Sequence, residues 1–166
     1  DDEIHEAGSA LSFCAMFRDR MLAMNEDEQE QRYRNVGNPT REEMYRSSVE
    51  LGIDSPVAFR SIASYEMMIR DLELHLSDTK NWIINDKFSL AEIGLIPYFA
   101  RVEFLGLLNI WTDARPYVQR WWSMIKSRES YISVIKNPLS EQELIEMQES
   151  GEKIHTRVCD RRLEYM

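Results

Sequence analysis

Few positions in this sequence combine side chains in a way that could do chemistry, and their spacing decides what that chemistry would be. Asp2-x-x-His5 and Glu152-x-x-His155 each set a carboxylate and an imidazole three residues apart. On a helix the two groups share a face, as in half of a carboxylate-bridged di-metal site. Such a site needs further inward carboxylates from two other helices, and no Asp or Glu reads as embedded in an otherwise apolar stripe, so metal binding is not expected. Cys14 and Cys159 lack the Cys-x-x-Cys or Cys/His spacing of redox and zinc sites and read as thiols of a reducing compartment. Arg18 stands among Phe13, Phe17 and Met21. A guanidinium there could grip a carboxylate through two parallel hydrogen bonds, or pair with Asp19, Asp71 or another acid. Phe13, Met16 and Phe17 could wall an apolar pocket; at helical spacing they equally suit core or a dimer contact. No residue reads as a catalytic group.

The elements that position these residues are helices. Only 6 Gly and 5 Pro punctuate 166 residues, alternating runs are missing, and apolar residues recur three and four apart, so the expected class is all-α. A first helix from Asp2 to about Met24 carries Ile4, Ala7, Leu11, Cys14 and Leu22 on one face and Ala10, Phe13, Phe17, Met21 and Met24 on another. Residues 25–39 are acidic, then basic, and read as an excursion from the bundle. Thr40 with Glu43 suggests a capping box opening a short helix to about Leu51. Ser55-Pro56 pairs an N-cap with a first-turn proline and starts a helix to about Leu76, with Phe59, Ile62, Tyr65, Ile69 and Leu72 inward. Further helices are expected from Leu90 to about Leu105, from Pro116 to about Lys126, and from Tyr131 to Ile135. Ser140 with Glu143 opens a charged helical tail. Of the adjacent Trp121 and Trp122, only one is expected at the centre of the core. His75 lies near a helix end, where a cation is favoured by the dipole.

The most informative stretch is WIINDKFSLAEIGLIPYFARVEFLGL, Trp82 to Leu107. Ser89 and Glu92 have the spacing of a capping box: the serine accepts from the amide of Glu92, and the carboxylate reaches back to the amide of Ser89. Phe88 and Ile93 flank the box as a hydrophobic staple, Asn85 suits a left-handed turn residue, and Pro97 is expected to interrupt the helix. The string FSLAEI after a short apolar turn resembles the buried N-capping box of the sixth helix in glutathione transferases, with Glu92 for the usual Asp and Asn85 for the common Gly. RPYVQRWWSMIKSRESY, Arg115 to Tyr131, resembles the family's next helix, although Arg128-Glu129 replaces its Arg-Pro. The resemblance covers about residues 55 to 136, and Asp2 to Met24 fits the family's fourth helix more loosely. The excursion from Met24 to Ser48 is similar in layout to an insertion in bacterial members that cleave lignin β-ethers or dehalogenate.

The resemblance implies one all-helical C-terminal domain over residues 1–166, preceded in the family by a thioredoxin-like domain that binds glutathione and carries the Ser, Tyr or Cys that activates its thiol. It implies a homodimer, a hydrophobic electrophile as second substrate, and Phe13, Met16, Phe17 and Arg18 at its pocket; the alternative is a non-catalytic interaction module of the same fold. The first residue is Asp1 rather than Met; an absent upstream segment, cleavage or trimming would each account for that. With 29 acidic against 20 basic residues the net charge is -9, which repels a phosphate backbone and disfavours nucleic-acid binding. No apolar run approaches the roughly 20 residues of a membrane span, and the acidic start is unlike a signal peptide, so a cytoplasmic protein is expected.

Overall fold

The computed structural model describes residues 2–77, 80–84 and 87–166, with side chains from Ile4 onward. Asn85 and the side chain of Asp2, both given a role above, lie outside the described residues. The chain is all-α, and among the described residues the only β pairing is two isolated bridges, Ser77 with Lys80 and Ile84 with Lys87.

The first helix is expected to be continuous, but it is broken by a change of pitch. Helix α1 (Asp2–Ser12) passes through a π-helical turn (Phe13–Phe17) into α2 (Arg18–Leu22). Ser12 Oγ donates to the Gly8 carbonyl at 2.8 Å, a side-chain bond back to residue i−4 of the kind that loosens and bends helices. The extra residue in the π turn rotates everything after it. Ala7, Leu11 and Cys14 therefore stay buried, while Phe17 and Leu22 turn outward and Met21 enters a separate small core with Tyr33 and Val49.

The excursion is a helical pair. Helix α3 (Glu26–Arg34) opens on a capping box between Asn25 and Glu28, a signal that the charged composition hid. Helix α4 (Pro39–Leu51) is capped by Asn38, whose Oδ1 accepts from the amides of Thr40 and Arg41; this replaces the box expected at Thr40 and Glu43. Proline at the first helical position makes its predecessor the cap. The pair is clasped by Arg46, bound to Glu42 and Glu30 and stacked on Tyr33.

Helix α5 (Pro56–His75) starts as expected, with Ser55 Oγ accepting from the Ala58 amide at 3.1 Å. Helix α6 (Leu90–Phe104) runs straight through Pro97, which is exposed and does not interrupt it. The buried flanks Ile96, Phe99 and Ala100 supply the packing that offsets the missing hydrogen bond. A short α7 (Asn109–Thr112) precedes α8 (Pro116–Lys126), then α9 (Glu129–Tyr131), a second π-helical turn (Ile132–Lys136) and the long α10 (Glu141–Tyr165), capped by Ser140 and Glu143. Helices α1, α5, α6, α8 and α10 enclose the main core around Leu11, Ile62, Tyr65, Phe99, Trp121 and Val158. Both Trp121 and Trp122 are buried, contrary to expectation, because Tyr131 folds back edge-on over Trp122 and Glu103 accepts its indole hydrogen at 2.9 Å.

Two carboxylates tie this bundle together, and one of them, Glu66, is buried although no Asp or Glu reads in the sequence as embedded in an apolar stripe. Glu66, on the buried face of α5, binds Arg115 before α8 and Arg162 near the end of α10. Arg115 and Arg162 also reach the carbonyls of Trp111 and Ile110, so one buried ionic knot joins four helices. Burial pushes the Glu66 carboxyl up, but the hydrogen bonds from the two guanidiniums outweigh it and hold the group below the ordinary carboxylate range. Glu73 caps a different helix: its oxygens accept from the amides of Tyr117 and Val118, the first free donors of α8.

Candidate functional site

The Ser89 and Glu92 box forms at the start of α6 and is more than a cap. Glu92 Oε2 accepts from the amide and the hydroxyl of Ser89 at 2.7 and 2.8 Å, while Ser89 Oγ faces the amides of Ala91, at 3.2 Å, and Glu92. The second carboxylate oxygen accepts from the amide of Ile83 at 2.6 Å, and Glu92 is fully buried. One carboxylate thus closes the helix end and anchors the Trp82-Ile83 turn against it. His75 Nε2 meets the Ile83 carbonyl at 2.7 Å from the end of α5, so that turn is held on both backbone sides. Phe88, assigned to a staple with Ile93, packs edge-on against Trp82 and beneath Arg128, while Ile93 is half exposed.

The four residues expected at a substrate pocket are dispersed by the π turn. Phe13 points toward the inserted pair and meets the Tyr45 ring edge-on at 4.8 Å. Met16 packs against the main core, and Phe17 is 44% exposed. Arg18 pairs with neither Asp19 nor Asp71: its Nε and Nη2 donate to the carbonyls of Val49 and Glu50 at 2.8 and 2.9 Å, closing the last turn of α4. It also lies against Gly52, where an added Cβ would stand 2.9 Å from Arg18 Nε and where φ is +58°. Only glycine fits there.

A cleft of about 810 Å³ lies between α1, α4 and α5, and of the four predicted residues Phe13 alone lines it. Sequence reasoning missed the rest of its wall, because Arg41, Met44, Arg60, Ser64 and Met67 lie on helix faces whose mixed polarity reads as solvated surface. Burial pushes the Cys14 thiol up to about 11, and burial also raises Cys159, which lies 3.8 Å from His155 Nδ1. Among the described residues no three His, Cys, Asp or Glu side chains gather as a metal site.

The fold defines a helical bundle with an anchored, buried N-capping box. Over 84 residues, half of the chain, it is 29% identical to the glutathione S-transferase TCHQD of Arabidopsis thaliana. That similarity supports a relationship to the glutathione transferases at the level of the family rather than of a subgroup. The chain spans 31% of that protein's length. No protein-family model matches the chain, and no solved structure matches it. No helix among the described residues is long and apolar enough to cross a membrane.

Proposed function

We propose that this chain is the helical substrate-side domain of a glutathione transferase. The observation that supports it best is the fully buried Glu92 carboxylate, which closes the buried N-capping box that the sequence resemblance implies and also ties the start of α6 to the Ile83 turn. Glutathione, as co-substrate, is held mainly by a thioredoxin-like domain that also supplies the donor to its sulfur. This domain contributes the wall for a hydrophobic electrophile, with Phe13, Met16 and Phe17 all drawn from the π turn. Arg18 acts by fixing α4 behind that wall. The reaction is attack of the glutathione thiolate on an electrophilic carbon, such as a conjugation, ether cleavage or dehalogenation, in a cytoplasmic homodimer.

The test compares residues 1–166 alone with the same chain following its thioredoxin-like domain, using glutathione and 1-chloro-2,4-dinitrobenzene. The isolated chain is expected at the buffer rate and the two-domain protein well above it. A two-domain protein that binds no glutathione by calorimetry would replace this reading with a non-catalytic interaction module.

A further inference from the structure

Residues 18–51 fold as a body with a core of its own. Met21, Tyr33 and Val49 are buried against one another, with Phe13, Met24 and Tyr45 packed around them. The main core takes no side chain from this stretch. Its buried members run from Ala7 to Ala15 and resume at Ile53, and the half-buried residues packed against it likewise lie outside 18–51. Hydrophobic burial therefore stabilises the segment and the bundle through two separate sets of contacts.

Polar contacts divide in the same way. Arg46 joins Glu30 of α3 to Glu42 of α4 and stacks on Tyr33, its guanidinium carbon 4.0 Å from the ring centre. Gln29 Nε2 donates to the Met24 carbonyl at 3.0 Å, and both helices are capped from within, by Asn25 and Asn38. Arg18 closes the neck: it stands where the chain leaves the bundle, and its bonds to the Val49 and Glu50 carbonyls hold the point where the chain returns. Gly52, with a φ of +58°, makes the turn directly after. The ties across the boundary are slight. Among the described residues Lys153 pairs with Asp19 at 3.8 Å with both groups exposed, and Phe13 meets Tyr45 edge-on at 4.8 Å. An exposed pair of that length adds little. Helix α4 also borders α5, and the cleft of about 810 Å³ occupies space between them and α1.

A small separate core, largely exposed helices and a narrow attachment are the conditions under which part of a protein opens below the free energy of global unfolding. We propose that residues 18–51 open and reclose as one cooperative unit while the bundle stays folded, so that α4 is a gate on the cleft. Val36, Arg41, Met44, Tyr45 and Ser48, which line the cleft, leave together in the open state, and the walls from α1 and α5 remain. Arg18, which ties entry to exit, sets how often the gate opens. None of this depends on glutathione or on a second domain.

Native-state hydrogen exchange of residues 1–166, in urea below the unfolding transition, tests the proposal. Amides of α3 and α4 are expected to share one opening constant, about hundredfold or more above that of the buried stretch of α5, with a weaker urea dependence because less surface is exposed. Arg18→Met is expected to raise exchange in α3 and α4 together by about tenfold, as loss of two hydrogen bonds from a charged donor implies. Ile69→Val, in the main core, separates the two units from the other side. It should raise α5 exchange by about fivefold and leave α3 and α4 within about twofold, because their opening does not unfold the bundle. Tryptophan emission, from Trp82, Trp111, Trp121 and Trp122, all outside the segment, verifies that each variant keeps its bundle. If α3 and α4 exchange at the α5 constant, no separate unit exists. Two different constants, with Arg18→Met acting on α4 alone or on neither helix, would mean independent fraying and overturn the proposal. So would an effect of Ile69→Val that spreads to α3 and α4.

Discussion

Ser89 does two jobs at once, and a single substitution separates its contribution from that of an ordinary cap. An exposed N-cap serine is worth about 1 kcal/mol. Ser89 Oγ also donates to Glu92 Oε2, and Glu92 is fully buried, so its removal takes a hydrogen bond from a carboxylate that has no water to replace it. Ser89→Ala is therefore expected to destabilise by about 2 kcal/mol, against about 1 kcal/mol for Ser140→Ala, whose box with Glu143 has the same bonds but is exposed. Urea denaturation of the two variants checks the order; equal losses would mean that burial of the Glu92 bond contributes nothing. The thiols give a second residue-scale expectation. Cys14 is buried and shifted to about 11, whereas Cys159 is only partly buried. Iodoacetamide at pH 8 should alkylate Cys159 first and reach Cys14 only after unfolding, as read by mass spectrometry of the two peptides.

At the scale of elements, the parts that were legible in the sequence were those fixed by local chemistry. Ser55-Pro56, Ser89 with Glu92 and Ser140 with Glu143 begin helices where capping logic puts them, because the signal and the structure lie within one turn of each other. What stayed hidden depended on partners distant in sequence. Nothing local at Arg18 announces that it will close α4, and nothing at Glu66 announces Arg115 and Arg162. The π turn was invisible for another reason: one extra residue in a helix leaves the composition unchanged yet scatters Phe13, Met16 and Phe17 to different surroundings. The docking of α10 is likewise decided by a close approach. An added Cβ at Gly151 would stand 1.7 Å from the Leu105 carbonyl oxygen, a backbone atom that cannot swing aside. Gly151→Ala, which would favour helix in isolation, is thus expected to destabilise by about 3 kcal/mol, at the upper end for overpacking. Amide exchange should accelerate along α10 more than along α5, and a stabilised variant would show that the crossing can widen freely.

For the molecule as a whole, the Glu66 knot makes assembly of the bundle depend on pH. Its carboxylate is 6% exposed and joins α5 to the segments bearing Arg115 and Arg162, with α7 drawn in through the carbonyls of Ile110 and Trp111. The folded state holds this carboxyl below the ordinary value of 4.5 that it regains on unfolding. Above that value both states are ionised and the stabilisation is complete. As pH falls from about 4.5 through the folded value, the unfolded chain binds the proton more readily, and the contribution is progressively lost. Glu30 and Glu143 are lowered too, by Arg46 and by the backbone and hydroxyl of Ser140, but both side chains are exposed and their pairing is screened. Most of the acid-side loss from these three groups should therefore belong to Glu66. Glu66→Gln keeps the volume and removes the charge, leaving two guanidiniums without their anion, and is expected to cost about 3 kcal/mol at pH 7. Its stability between pH 5 and pH 3 should then decline less steeply than that of the natural protein, so that the two curves converge in acid. Parallel curves in urea titrations across that range would show that Glu66 is not the group whose protonation loosens the bundle.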